Sequence, residues 1–166
     1  KTSRMTRDVE GTRLGIVGYG AIGSKVARMA DAFGMSIAAY DPLIAAGPLP
    51  GPGERVADLH ALIARSDVLT IHCPLDAATR GMIGAAELAL LPRGAILIHT
   101  ARGGIVEEAA LLAALDSGHV AWAGVDVFSK EPLGTDHPLR GHPRVLPTPH
   151  LAANTPHGAV GMSTGA

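Results

Sequence analysis

From Leu14 to Gly23 the sequence reads Leu-Gly-Ile-Val-Gly-Tyr-Gly-Ala-Ile-Gly, a short apolar strand running straight into Gly18-x-Gly20-x-x-Gly23. A helical pattern opens directly behind it, with Ile22, Val26, Met29, Ala30 and Phe33 recurring at three- and four-residue steps. Each glycine has a physical use in such a strand–turn–helix unit. Gly18 permits the tight turn, Gly20 lets the backbone approach a diphosphate, and Gly23 lets the helix lie close on its strand. The unpaired first amides of the helix and its positive dipole end favour an anion, which places the diphosphate at the helix N-terminus. The next apolar run, Ser36 to Tyr40, ends in Asp41, 18 residues beyond Gly23. An acid near that spacing pairs with ribose hydroxyls of a dinucleotide. No Lys or Arg follows Asp41 in the turn, so a 2′-phosphate would meet an anion without a counter-charge. The residues therefore point to NAD rather than NADP.

With 166 residues there is room for one domain with a proper core. Hydrophobic residues make up 47% and aromatics only 3%, so the core is aliphatic, as suits parallel strands buried on both faces. A net charge of −1 and the absence of any basic cluster argue against nucleic acid or an anionic membrane as an obligatory partner. Cys73 is the only cysteine, which rules out an internal disulfide and a cysteine-based metal site. No His or acid spacing suggests another metal site, and no apolar run approaches a membrane span. A cytoplasmic setting is the expectation.

Along the chain, Gly34 falls where a helix C-terminal glycine belongs. Residues 42–53 carry four prolines and three glycines and are expected to be irregular. Helices are predicted over about 58–65 with Asp58 as N-cap, over 85–91, and over 107–117 with a stop at Gly118. Strands are predicted at 67–72, 95–100, 122–127 and 145–146, and Thr155-Pro156 is expected to open a closing helix. Alternating strands and helices with short links give an α/β fold: a doubly wound parallel sheet between two helical layers. Ligands of such sheets bind beyond the carboxyl ends of the strands. Gly18–Gly23, Asp41, His72-Cys73-Pro74, Thr100-Ala101-Arg102 and Asp126 all fall at such ends.

Three further motifs carry chemistry. Thr100-Ala101-Arg102-Gly103-Gly104 puts a guanidinium directly after a buried strand, where it can hold a carboxylate bidentately. Glu131 stands in a turn set by Pro132, and Pro147-Thr148-Pro149-His150 is a stiff segment aiming one imidazole. Taken singly, each is as readily a surface charge or a solvated loop residue.

Arg, Glu and His in this order, with the glycine turn, Pro74-Leu75 and Thr79, and Gly124-Val125-Asp126-Val127-Phe128, resemble the D-2-hydroxyacid dehydrogenase family. The resemblance covers about residues 11–160. It implies that Arg102 holds the substrate carboxylate and carbonyl oxygen, that His150 is the acid–base, and that Glu131 stabilises protonated His150. It also implies that Asp126 orients the nicotinamide, with Thr100 and Ala101 beside it. Tyr19, Ala21, Ile22, Pro42, Cys73, Pro74 and Thr79 are implied cofactor contacts along with the three glycines, Asp41, Arg102 and His150. The implied substrate is a small 2-hydroxy acid, and a homodimer through this domain is expected. Members of the family carry a second, substrate domain; residues 1–166 read as the dinucleotide domain alone. The alternative is a corepressor-like module of the same fold that senses NAD(H); a hydrolase with tightly held NAD suits the Arg, Glu and His set less well. His99 stands where relatives often carry Asn, and a structural role at the strand end is expected for it; His72 is expected to pack or to edge the adenine.

Overall fold

The computed structural model describes residues 8–154, so the helix expected from Thr155-Pro156 lies outside the described residues. Among these residues seven parallel strands form one sheet: β1 (Arg13–Val17), β2 (Ser36–Tyr40), β3 (Glu54–Arg55), β4 (Val68–Ile71), β5 (Ala95–His99), β6 (Val120–Val125) and β7 (Val145–Pro147). Their order is β3-β2-β1-β4-β5-β6-β7, so the chain reverses its direction of travel between β1 and β4. The register sets Val17 beside Tyr40 and Ile71, and His99 beside Val125, which brings the strand ends level. Among the described residues four helices cover the sheet: α1 (Ala21–Ala32), α2 (Leu59–Ile63), α3 (Ala85–Leu90) and α4 (Glu108–Asp116).

The helices divide between two layers, as the pattern predicts. On one face Ala27 and Ala30 of α1 pack on Leu14, Ile16 and Ala39. On the other, Leu62 and Ile63 of α2, Leu88 of α3, and Leu111 and Leu115 of α4 pack on Leu69, Ile71, Leu97, Ala123 and Val125. Asp58 caps α2 as expected, its Oδ1 accepting the Ala61 N–H at 2.7 Å. Gly34 and Gly118 follow α1 and α4 with φ of +73° and +69°.

The apolar pattern of residues 22–33 is split between the two sides of α1: Ile22, Met29 and Phe33 are 58–68% exposed, Val26 is partly buried, and Ala30 is buried together with Gly23 and Ala27. The close approach that Gly23 permits explains this, since a Cβ there would stand 2.1 Å from Gly18 O and 3.3 Å from Ile16 Cγ2. At that separation only small residues fit beneath the helix. Two expectations are corrected: Glu54–Arg55 adds an edge strand after the irregular segment, and β6 runs from Val120 to Val125 rather than over 122–127. Among the described residues no helix is long and apolar enough to cross a membrane, and no cluster of side chains could hold a metal ion.

Candidate active site

The sheet presents its polar residues along the carboxyl ends, in two groups on either side of the reversal. The first group surrounds the glycine turn. Gly18 has φ +89°, and a Cβ on it would lie 2.6 Å from the Cys73 amide nitrogen. Here glycine is required both by conformation and by the contact between the β1 and β4 ends. A Cβ on Gly20 would meet nothing within 4 Å, so its backbone faces open space beside the exposed Ala21 and Ile22 at the start of α1. Asp41 Oδ2 accepts the Tyr19 N–H and Oδ1 the Leu43 N–H, each at 2.9 Å. A carboxylate has about four acceptor positions, so two remain for ribose hydroxyls. The open backbone at Gly20, the free first amides of α1 and this acid together suit a dinucleotide diphosphate and its ribose.

Not every expected contact is made by a side chain. The Tyr19 ring is buried, and its hydroxyl donates to Pro52 O at 2.7 Å, so it fastens the proline-rich segment to the turn. Thr79 donates to Pro74 O and accepts from the Asp76 N–H, which spends its hydroxyl within the 74–79 loop. Cys73 lies at the β4 end, where burial pushes its thiol up to about 11 and leaves it protonated and unreactive at neutral pH. His72 shares a hydrogen bond with Thr70 Oγ1 at 2.9 Å, and burial lowers its pKa. Pro42 follows Asp41 at the β2 end and Pro74 follows Cys73 at the β4 end.

The second group lies at β5, β6 and β7. Four strand spacings separate the β2 and β6 ends, roughly 19 Å at about 4.8 Å per strand. Thr100, Ala101 and Arg102 follow β5. Arg102 is exposed, donates one N–H to Ala101 O at 2.7 Å, and pairs with no carboxylate among the described residues. Gly103 brings this strand end against the β6 end: a Cβ on it would lie 1.9 Å from Phe128 O. Glu131 closes its own turn, Oε1 accepting the Phe128 N–H at 2.9 Å, and Oε2 lies 2.8 Å from His150 Nδ1. The His150 hydrogen bond and then the Phe128 N–H hold the Glu131 carboxyl below its ordinary value. Because a carboxylate only accepts, Nδ1 of His150 carries the proton, and the neutral ring presents an unprotonated Nε2.

Asp126 is almost fully buried and spends most of its acceptor capacity on the segment that carries His150. It accepts from Thr148 Oγ1 and from the Leu151 and Ala152 N–H groups at 2.9 Å each. Burial raises its pKa, but those hydrogen bonds outweigh burial and hold the carboxyl below its ordinary value. The His150 N–H bonds Asp126 O at 2.8 Å, and His150 takes φ 54°, a left-handed conformation uncommon outside glycine. Asp126 thus fixes the imidazole's backbone. His99, one residue before Thr100, is 2% exposed, and neither ring nitrogen has a hydrogen-bond partner. Its expected role at the strand end is in keeping with this burial, which pushes the imidazole down to about 4.

The structure therefore brings Glu131 and His150 together and sets Arg102 on the neighbouring strand end. Sequence reasoning did not assign Gly103 and Thr148 roles. The doubled glycine after Arg102 was the available signal for a close approach, and Thr148, two residues before the imidazole, was the one for a tether.

Residues 1–152 match the model of the D-isomer specific 2-hydroxyacid dehydrogenase NAD binding domain. The glycerate dehydrogenase of Methylorubrum extorquens is 44% identical over 87% of this chain, which covers 44% of that protein. The D-3-phosphoglycerate dehydrogenase of Bacillus subtilis is 41% identical over 93% of this chain and 29% of its own length. A glyoxylate reductase structure from Paecilomyes thermophila superposes with a TM-score of 0.86 at 37% identity, over 98% of this chain and 49% of that one. The chain thus spans less than half the length of each of these relatives. With the glycine turn, the acid at the β2 end and the fold all in agreement, the chain belongs to the D-isomer-specific 2-hydroxyacid dehydrogenase family, as its NAD-binding domain.

Proposed function

We propose that this domain is the coenzyme half of an oxidoreductase that moves a hydride between NAD and a small D-2-hydroxy acid or the matching 2-keto acid. The observation that carries the reading is the 2.8 Å pair of His150 and Glu131, beside a strand end whose Arg102 has no carboxylate partner among the described residues. NAD, when bound, supplies the hydride chemistry, and the side chains supply the rest. Arg102 holds the substrate carboxylate through its fork of N–H donors. In oxidation, His150 Nε2 takes the hydroxyl proton; in reduction, protonated His150 returns it. Glu131 stabilises the imidazolium and keeps the ring in the productive tautomer. Gly18, Gly20, Gly23, Ala21 and Ile22 hold the diphosphate, and Pro42, Cys73 and Pro74 line the adenosine side. Thr100, Ala101 and the remaining lone pair of Asp126 face the nicotinamide end. The two free acceptor positions of Asp41 favour ribose hydroxyls and repel a 2′-phosphate, so NAD is preferred over NADP. A homodimer through this domain is part of the same proposal.

Calorimetric titration of the chain with NADH and with NADPH tests the cofactor assignment. Saturable NADH binding at least about ten-fold tighter than NADPH, a difference of about 1.4 kcal/mol, is expected. The reaction is tested in a chimera in which this domain replaces the matching part of the M. extorquens glycerate dehydrogenase. NADH-dependent reduction of hydroxypyruvate or glyoxylate is expected; a folded chimera that binds NADH and reduces neither overturns the assignment.

A further inference from the structure

The residue that fixes the Glu131 turn lies outside the motifs considered so far. Glu108 opens α4, six residues beyond Arg102. An acid in the first turn of a helix ordinarily serves the helix dipole. Here both oxygens are engaged across the chain instead. Oε1 accepts the Ser129 N–H at 2.7 Å, and Oε2 lies 3.1 Å from His137 Nε2. The Leu139 N–H bonds His137 Nδ1 at 3.3 Å, so Nδ1 is the unprotonated nitrogen and Nε2–H donates to Glu108. The same imidazole meets the Phe128 ring edge-on, with centroids 5.8 Å apart.

Phe128 is the hub of these contacts. Its N–H holds Glu131, its ring meets His137, its carbonyl abuts Gly103, and the next amide is held by Glu108. We propose that Glu108 is a positioning residue that clamps the Glu131-bearing turn against the strand end carrying Arg102, and so sets the alignment of the acid–base pair with the carboxylate-binding arginine. The proposal rests on the assignment of Glu131 and His150 as that pair. Arg102, Gly103 and Glu108 lie on one continuous segment. The two halves of the site are therefore joined through a short stretch of backbone and one carboxylate, rather than through the sheet alone.

The test is the titration of the Glu131 side-chain carboxyl, followed by carbon-detected NMR in the full chain, for wild type, Glu108→Gln and Glu108→Ala. The charged groups acting on Glu131 are His150, which lowers its pKa, and Asp126, which raises it. Removing the negative charge of Glu108 would by itself make Glu131 easier to ionise and lower its pKa. Loosening the turn does the opposite, because Glu131 loses the Phe128 N–H and its alignment with His150. In Glu108→Ala the Glu131 pKa is expected to rise by about half a pH unit or more. Glu108→Gln keeps an oxygen for the Ser129 N–H and is expected to leave it at or below the wild-type value. A Glu131 pKa unchanged or lowered in folded Glu108→Ala overturns the proposal. If that variant does not fold, Glu108→Asp replaces it: charge is kept and reach is lost, so a rise supports the clamp and no change overturns it. A wild-type Glu131 that titrates at an ordinary carboxylate value overturns the Glu131–His150 pairing, and the clamp with it.

Discussion

Gly103 is the residue on which the geometry of the site turns most sharply. A Cβ there would stand 1.9 Å from Phe128 O and 2.7 Å from the Ser129 nitrogen, both backbone atoms that no rotamer change can move aside. Gly103→Ala should therefore cost about 2–3 kcal/mol, in the range of overpacking at a site that cannot relax, and its urea midpoint should fall accordingly. An unchanged midpoint would show that the two strand ends separate easily. The contrast with Arg102, Glu131 and His150 shows what a sequence discloses. Each of those three carries its chemistry in its own side chain and sits in a short motif at a strand end. Gly103 matters because of a segment 25 positions away, and Tyr19 because its hydroxyl reaches Pro52, neither of which any local pattern records.

Among the elements, α1 was legible in extent but not in orientation. Its large apolar residues recur at helical spacing, but spacing does not say which side of the helix meets the sheet. The residues fully buried there are Gly23, Ala27 and Ala30, because the helix lies too close for large side chains. Ala27→Leu should then destabilise by about 1–3 kcal/mol, whereas Met29→Lys on the exposed side should stay within about 0.5 kcal/mol. Chemical denaturation of the two variants checks the assignment, and equal losses would contradict it. The caps at Asp58, Gly34 and Gly118 were readable because each depends on one residue's own conformation or oxygen. The strand Glu54–Arg55 was not, since two residues following a proline-rich segment display no period.

For the molecule as a whole, buried and hydrogen-bonded titratable groups make stability depend on pH in two stages. His99 stays neutral when folded down to about pH 4, while the unfolded chain protonates it near its ordinary value. Its contribution is fully present above about pH 6.5 and is lost as pH falls toward 4, to a total on the order of 3 kcal/mol. The carboxyls of Asp126, Glu131 and Glu87 lie below their ordinary values, so they stabilise the fold above the carboxylate range and stop doing so as pH falls through their lowered values. Urea midpoints measured from pH 7 downward should fall first between about 6.5 and 4, and then more steeply. His99→Asn should shrink the first stage to the part that buried His72 contributes and leave the second, and a first stage undiminished in that variant would assign the effect elsewhere. The parallel sheet and both helical layers could be read from the alternation of strands and helices. The tethers that align the site could not, because they join segments distant in sequence.

The hydrogen bonds of Asp41 bear on how cofactor preference can change. The carboxylate proposed to face the ribose also receives the amides of Tyr19 and Leu43, and Tyr19 in turn fastens the proline-rich segment. Replacing the acid to admit a phosphate therefore leaves two amides without their acceptor and loosens the turn proposed to hold the diphosphate. A lineage drifting toward NADP would have to keep an oxygen at position 41, or rebuild the turn first. Preference at this position is inherited together with the architecture around it, and it resists change one residue at a time.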